Sequence, residues 1–383
     1  MIRQNSTGTA NERVEIISTS EGLKSLETPW TQLWEASGAP IFQSYAWIEA
    51  WWNTIPNQQD YKLAIVAGWH GPTLGAVLPL VTHKRRGLRL LEWAARDFAD
   101  YCDALIDSSC GTGLLHRMWA TLSQAGGFDL AHLSRLLPGA AAWQLLEPAK
   151  EGVALNPNRR AEQSLRVVGP WTSGKAWFDS HNKKTRQNYR RGVSVLQEGG
   201  RLNFRLLPPD VPLEPALERL ATLKRLWLAR NGLEAPLYDA GSATLLALTQ
   251  VLARTSQLRI FVLERNDEII AISVNFVQGD TMMAFLTSYD PAFVKGSPGM
   301  VLMTDYIKWA ADQGLTTIDF LCGAEDFKSR FSTQSVDLKS IAGSRTPLGH
   351  AAMLADQVVH LGRSLRKRLR TAQPISGASA NAA

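Results

Sequence analysis

Five cationic side chains fall within nine residues: Lys183, Lys184, Arg186, Arg190 and Arg191, with no acid among them. Along a helix, positions 183, 186, 187 and 190 share one face. Such a run is either a solvated basic face or a clamp for an anionic group, because guanidinium forks match phosphate oxygens. His181 beside it is worth a mutation but gives no mechanism by itself. About a hundred residues on, Ser297-Pro298-Gly299 has the composition of a helix start. Ser at the N-cap offers an oxygen to free amides, and Pro at the first helical position loses no hydrogen bond. The amides of Ser297, Gly299, Met300 and Val301, beside Lys295 and Gly296, sit at the positive end of the helix dipole and would hold a phosphate there. The plainer reading is that Ser-Pro-Gly only begins a helix well.

The surrounding elements give that helix start its meaning. Thr281–Ser288 is an apolar run with strand character, and Tyr289–Gly296 reads as a loop. In the helix that follows, Leu302, Met303, Tyr306, Trp309 and Ala310 line one face, while Asp305, Lys308 and Asp312 line the other. Gly314 suits the helix end, and Thr316–Leu321 reads as a second strand. A strand–helix–strand crossover sets its strands parallel and places ligands beyond their carboxyl ends. Tyr289, Glu325 and Lys328 lie past those ends, and Asp319 lies inside the second strand. Asp319 could pair with Lys328, and Tyr289 could simply pack.

The chain has 383 residues, 45% of them hydrophobic and 20% charged, which is a globular composition with room for two or three cores. Cys102, Cys110 and Cys322 form no CxxC or Cys/His cluster, so neither a disulfide scaffold nor a metal site is expected. No apolar stretch approaches a membrane span, and the expectation is a soluble, cytoplasmic protein. Of the net charge of +6, +4 lies between Pro347 and Ala383, where Arg363, Arg366, Lys367, Arg368 and Arg370 face only Asp356. A body of +2 does not suit a DNA-binding protein, whatever the global pI.

Residues 1–11 are polar and expected to be flexible. Arg13–Thr19 should be a strand, Glu21–Ser37 and Gln43–Thr54 helices, and Tyr61–Ala67, Thr73–Thr82, Gly87–Ala94 and Tyr101–Ile106 strands. Leu114–Gln124 should be a helix, followed by strands Asp129–Leu136 and Gln163–Val168. Val168–Lys175 is the expected domain boundary. Beyond it, Trp177–Leu196 reads as one helix, then a strand at Arg201–Leu206 and helices at Glu214–Asn231 and Ser242–Arg254. Strands Gln257–Glu264 and Glu268–Val277 precede the crossover, and Ser335–Ile341 closes this half. Ala351–Arg370 reads as an amphipathic basic helix, able to lie on an anionic membrane at the inner face or to grip a cyclic dinucleotide.

The order β, α, α, β, β, β, α, β, loop, β resembles the GNAT acetyltransferase fold. Closer resemblance is carried by Ser288-Tyr289-Asp290-Pro291, by Ser297-Pro298-Gly299, and by Phe320-Leu321-Cys322-Gly323-Ala324-Glu325-Asp326-Phe327-Lys328. With the upstream Lys183-Lys184-x-Arg186-x-x-x-Arg190-Arg191, these look like the CelD/BcsL-type acetyltransferases of cellulose and exopolysaccharide synthesis. That family is similar to the Fem aminoacyltransferases, which carry two GNAT-like halves. The chain departs from the usual (Arg/Gln)-x-x-Gly-x-(Gly/Ala) spacing at Lys295-Gly296-Ser297-Pro298-Gly299.

The resemblance implies an α/β fold with mixed sheets. It divides the chain into GNAT-like halves at 12–174 and 175–346 and a basic extension at 347–383. It implies transfer of an acyl group, from acetyl-CoA or another acyl-CoA and without a metal, to a sugar nucleotide or lipid-linked sugar. Under it Glu325 is the base, Tyr289 the proton donor to the thiolate, and Asp319 a further or orienting carboxylate. Lys184, Arg186, Arg190, Arg191 and Lys328 would meet substrate anions. Two other readings stay open: Fem-like aminoacyl transfer from tRNA, and a non-catalytic nucleotide sensor regulating a polysaccharide machine.

Overall fold

The computed structural model describes residues 12–146, 152–233, 238, 243–255, 257–323 and 325–356. The expectations for 1–11 and for Arg363, Arg366, Lys367, Arg368 and Arg370 therefore lie outside the described residues. A four-stranded antiparallel sheet runs β1 (Glu12–Ile17), β3 (Ile65–His70), β4 (Thr73–Leu78), β7 (Leu105–Ile106). A second sheet has eleven strands. Its first five are β10 (Leu202–Leu206), β11 (Leu258–Arg265), β12 (Glu268–Gln278), β13 (Thr281–Tyr289) and β14 (Thr317–Cys322). It continues through β9 (Asn156–Val168), β15 (Gln334–Ser344), β8 (Leu130–Leu136), β6 (Leu88–Trp93), β5 (Leu80–Arg85) and β2 (Tyr61–Leu63).

Two neighbouring pairs in this sheet are parallel, β13 with β14 and β6 with β8. A helix lies between the strands of each pair in the chain: α9 (Pro298–Asp312) in the second half, α4 (Thr112–Ala125) in the first. The halves then exchange their last strands. β9 follows β8 but pairs with β14, β15 follows β14 but pairs with β8, and β9 pairs with β15 between them. The chain is thus a mixed α/β protein of two like halves sharing one sheet, and their junction runs along β14 and β9.

The helices bind the halves further. In the first half α1 (Ser20–Ser25) and α2 (Glu27–Ser37) lead to α3 (Tyr45–Thr54), whose carboxyl end meets α8 (Ala243–Arg254) of the second, Thr244 Oγ1 donating to the Thr54 carbonyl at 2.8 Å. The aromatic core of the first half, including Trp30, Phe42 and Trp47, continues into Phe276, Met283 and Leu321 of the second. A second cluster packs α9 on the sheet through Val301 and through Leu302, Met303, Tyr306 and Ala310 of the expected stripe, whose Trp309 is only partly buried.

Several local expectations are corrected: Glu21–Ser37 is two helices, α1 and α2, and Tyr61–Ala67 and Thr73–Thr82 each divide between the two sheets, as β2 with β3 and β4 with β5. Tyr101–Ile106 is mostly loop, because the Asp103 carboxylate turns away to cap the Ala141 and Ala142 amides at 2.7 and 2.8 Å; only Leu105–Ile106 pairs. Trp177–Leu196 is two helices, α5 (Gly174–Asp179) and α6 (Lys183–Gln197), divided where Asn182 caps the Thr185 amide at 2.9 Å. The tail helix begins earlier than Ala351: 347–356 is helical, with Thr346 Oγ1 accepting from the Gly349 amide at 3.2 Å.

Candidate active site

β13 and β14 hydrogen-bond only at their beginnings, from Thr281 opposite Thr317 to Met283 opposite Asp319. Beyond these residues the strands part. A register shift between Asp319 and Cys322 bends β14 away, with Leu321 in the left-handed region at φ 58°. That conformation is costly for a branched side chain, and Asp319 supports it by accepting the Leu321 amide at 2.8 Å. The result is an open strand end of the kind in which a backbone-bound ligand can lie.

One flank of the opening is the start of α9. Ser297 does not cap it in the expected way. It sits in the left-handed region (φ 50°, ψ 56°) with no side-chain cap bond, while its carbonyl takes the Met300 and Val301 amides at 2.9 and 3.1 Å. Since Pro298 has no N–H and Ser297 N donates to Val294, the phosphate-binding reading narrows to the Gly299 amide and the helix dipole. Gly299 is also pressed on β13, where a Cβ would come 3.1 Å from the Tyr289 ring.

The basic helix α6 is docked at this same point. A Cβ on Gly192 would lie 2.7 Å from the Gly296 carbonyl, and one on Gly296 would lie 2.5 Å from Leu196. Only paired glycines allow so close an approach. Lys183, Lys184, Arg190 and Arg191 stay exposed on α6, as does Lys295 on the adjoining turn. Arg186 is committed locally, donating to the Asp179 carbonyl at 2.6 Å, and His181 packs against Trp177 and Phe331.

At the other flank, Asp319 is 1% exposed and fully engaged. Tyr101 Oη donates at 2.7 Å, Ser164 Oγ at 2.8 Å, and Arg166 Nε lies 2.9 Å away. These contacts fasten the two halves. The expected pair with Lys328 is not formed, since Lys328 Nζ sits 2.8 Å from Glu325 and donates to the Cys322 carbonyl at 3.2 Å. Glu325 itself is 54% exposed at the start of α10 (Asp326–Ser329). The Tyr289 hydroxyl makes no hydrogen bond among the described residues.

The structure adds groups that the sequence reading missed. Asp100, in the loop after β6, accepts the Cys322 amide at 3.2 Å. Burial pushes its carboxyl up to about 6, against the pull of Arg135, Lys328 and the Cys322 amide. Lys224, on α7 (Leu213–Arg230), lies over Trp227 and Tyr238 at 5.0 and 5.7 Å from their ring centroids. Burial lowers its pKa, Glu325 opposing and Lys328 adding to the effect. Burial, with the charge of Asp100, raises the Tyr238 phenol to about 12. Lys224 follows Leu217 and Leu220 and precedes Leu228 on the buried stripe of α7, and a lysine on such a stripe was the available signal. Two ammonium groups and two carboxylates thus meet beside the open end of β14. Burial keeps the Cys322 thiol near 12, with its Sγ 2.8 Å from Glu162, so it is no nucleophile. Among the described residues, no cluster suits a metal ion and no helix is long and apolar enough to cross a membrane.

Residues 183–329 match the family described as acetyltransferase (GNAT) domain. Over most of its length the fold is similar to that of FemX, with a TM-score of 0.55 at 10% identity, covering 85% of this chain and 96% of that one. A conserved protein of unknown function from Bacteroides thetaiotaomicron VPI-5482 gives 0.52 at 11%, covering 86% and 100%. A tandem GNAT protein from the clavulanic acid biosynthesis pathway gives 0.48 at 10%, covering 87% and 99%. No curated protein matches the chain. The chain therefore carries a GNAT-type acyltransferase domain, built around the unit β13, α9 and β14.

Proposed function

We propose that the protein moves an acyl group, acetyl in the simplest case, from acyl-CoA to an amine or hydroxyl of a sugar or lipid-linked sugar in exopolysaccharide synthesis. The observation that carries this reading is the open end of β13 and β14, with the start of α9 on one side and Asp100, Lys224, Lys328 and Glu325 on the other. The Gly299 amide, the α9 dipole and the exposed cations of α6 and Lys295 suit a pyrophosphate, and no side chain at Gly299 blocks the approach. The bound thioester supplies the acyl group.

The protein's own groups do the rest. Asp100, titrating near 6, is ionised at neutral pH and takes the proton of the acceptor as it attacks. Lys224 and Lys328 offset the negative charge that develops on the carbonyl oxygen, in a partly dehydrated site where such charges count for more than in water. Tyr289, beside Gly299, supplies a proton to the departing thiolate. Asp319 and Arg166 hold the bulge that keeps the strands apart. The test is release of free CoA thiol from acetyl-CoA with amino-sugar acceptors. Release that needs both an acceptor and Asp100 supports the reading, and acceptor-independent or absent release overturns it.

A further inference from the structure

Far from α9, on one face of the β2–β5–β6 edge, the first half holds a cavity of about 390 Å³ whose walls include Trp51, Tyr61, Arg85, Trp93, Arg96 and Asp97. This is within the size range of small-ligand sites. Its polar groups are poorly accounted for by the fold. The Arg85 side chain is exposed and has no ion-pair or hydrogen-bond partner among the described residues. The Trp93 indole N–H is buried without a partner, in a residue 2% exposed. That N–H is closed off from the cavity, so the groups a ligand would meet are Arg85, Arg96, Asp97 and the aromatic faces. Tyr61 stacks on His83 at 5.1 Å, forming a flat aromatic shelf, and Trp51 meets it edge-on at 5.8 Å.

The mixture of charges selects the ligand class. Asp97 lines the wall beside Arg96, which it contacts at 3.1 Å, and Glu92 lies behind it with His83 Nε2 at 2.8 Å and His132 Nδ1 at 3.5 Å. With Asp97 paired to Arg96 and Glu92 to two histidines, Arg85 is the cation left over in this wall, fewer than the several cations or amides that hold a phosphate elsewhere. A purely apolar ligand would leave Arg85 and Asp97 unanswered. A pyranose ring answers both demands, because its C–H faces lie on aromatic rings while its hydroxyls donate to the Asp97 carboxylate and accept from Arg85. We propose that this cavity is a subsite for an uncharged hexopyranose ring.

Its placement gives the subsite a use, and this step rests on the acyltransferase reading above. The Arg96 carbonyl accepts from Arg135 Nη1 at 2.8 Å, Arg135 Nε reaches Glu162 at 3.0 Å, and Glu162 meets Cys322 at the end of β14. Arg96 and Asp100 stand in the same short loop after β6. The ring held in the cavity is therefore a non-reacting unit of the acceptor glycan, gripped while another part of it reaches Asp100.

Saturation-transfer NMR on the full chain, with cellotriose and tri-N-acetylchitotriose as probes and UDP and pyrophosphate as controls, tests the subsite without requiring turnover. The expected result is transfer to the ring protons of a neutral trisaccharide, weakened at least about tenfold in Arg85→Ala/Asp97→Ala and unchanged in Gly299→Asp. Both changed side chains of the double variant lie at the surface, and its melting temperature confirms folding. Binding of neither trisaccharide, equal binding by the double variant, or displacement of the sugar by pyrophosphate overturns the subsite. Loss of acetyl-CoA binding with sugar binding intact instead overturns the donor site alone.

Discussion

Asp100→Asn separates catalysis from stability, because the same burial that makes Asp100 a base also makes its charge costly. The folded protein holds this proton to about pH 6, against an ordinary value of 3.8. A carboxyl whose pKa is raised by folding contributes stability below about 3.8, and the contribution is lost as pH rises through about 6. Two pH units at about 1.4 kcal/mol each set an upper limit of about 3 kcal/mol for the cost at neutral pH. Asp100 keeps some contact with water, so about 1–3 kcal/mol is the expected range. Asn preserves an oxygen for the Cys322 amide but carries no charge. The variant should therefore be more stable than wild type by that amount in urea titrations at about pH 7.5, with the difference shrinking toward about pH 4. Its turnover should fall about 100-fold or more, and the acid limb of the wild-type profile near pH 6 should vanish. A variant no more stable at about pH 7.5, or one that keeps the acid limb, would refute the assignment.

The other substitutions follow from the same geometry. Glu325→Gln removes only an exposed ion pair worth about 1 kcal/mol or less, so steady-state turnover should drop less than about tenfold; a loss as deep as that of Asp100→Asn would make Glu325 the base. Asp319→Ala strands Arg166 and frees the Leu321 bulge, which should cost about 3–5 kcal/mol in urea denaturation; a loss under about 1 kcal/mol would remove Asp319 from the junction. For the tail, ending the chain after Asp356 rather than before Pro347 spares the Gly349 contact with the Asp129 carbonyl, so activity on soluble acceptors should survive. Lys replacements at Arg363, Arg366, Lys367, Arg368 and Arg370 (Lys367 already conforming) should leave vesicle binding nearly unchanged if the tail reads membrane charge, at about 1 kcal/mol per cation; nucleotide binding would be lost instead.

The sequence made the crossover legible because its punctuation is strong. Pro298 and Gly299 open α9, Gly314 follows it, and the observed strands Thr281–Tyr289 and Thr317–Cys322 differ from expectation by no more than one residue at either end. What it concealed lies between segments far apart in the chain. Asn156–Val168 pairs with β14 and β15, more than a hundred residues away, and local periodicity carries no record of such partners. For the same reason Asp319 was read with the nearby Lys328, whereas its charge partner is Arg166 on that remote strand. Asp100 has no local signature at all, as its raised pKa comes from burial in the folded chain. Lys224 and Asn182 were readable, the first as a charge on an apolar stripe and the second as a cap inside a supposed helix.

Isothermal titration of the full chain with acetyl-CoA, repeated with Gly299→Ala and Gly299→Asp, tests the donor site on which the account depends. The Ala variant controls for crowding of the Tyr289 ring, which a Cβ at Gly299 would approach to 3.1 Å. The expected result is one site in the wild type, weakened binding in the Ala variant, and none in the Asp variant, whose carboxylate would repel the pyrophosphate. Equal acetyl-CoA affinity in all three folded proteins, or no binding by the wild type, would contradict it.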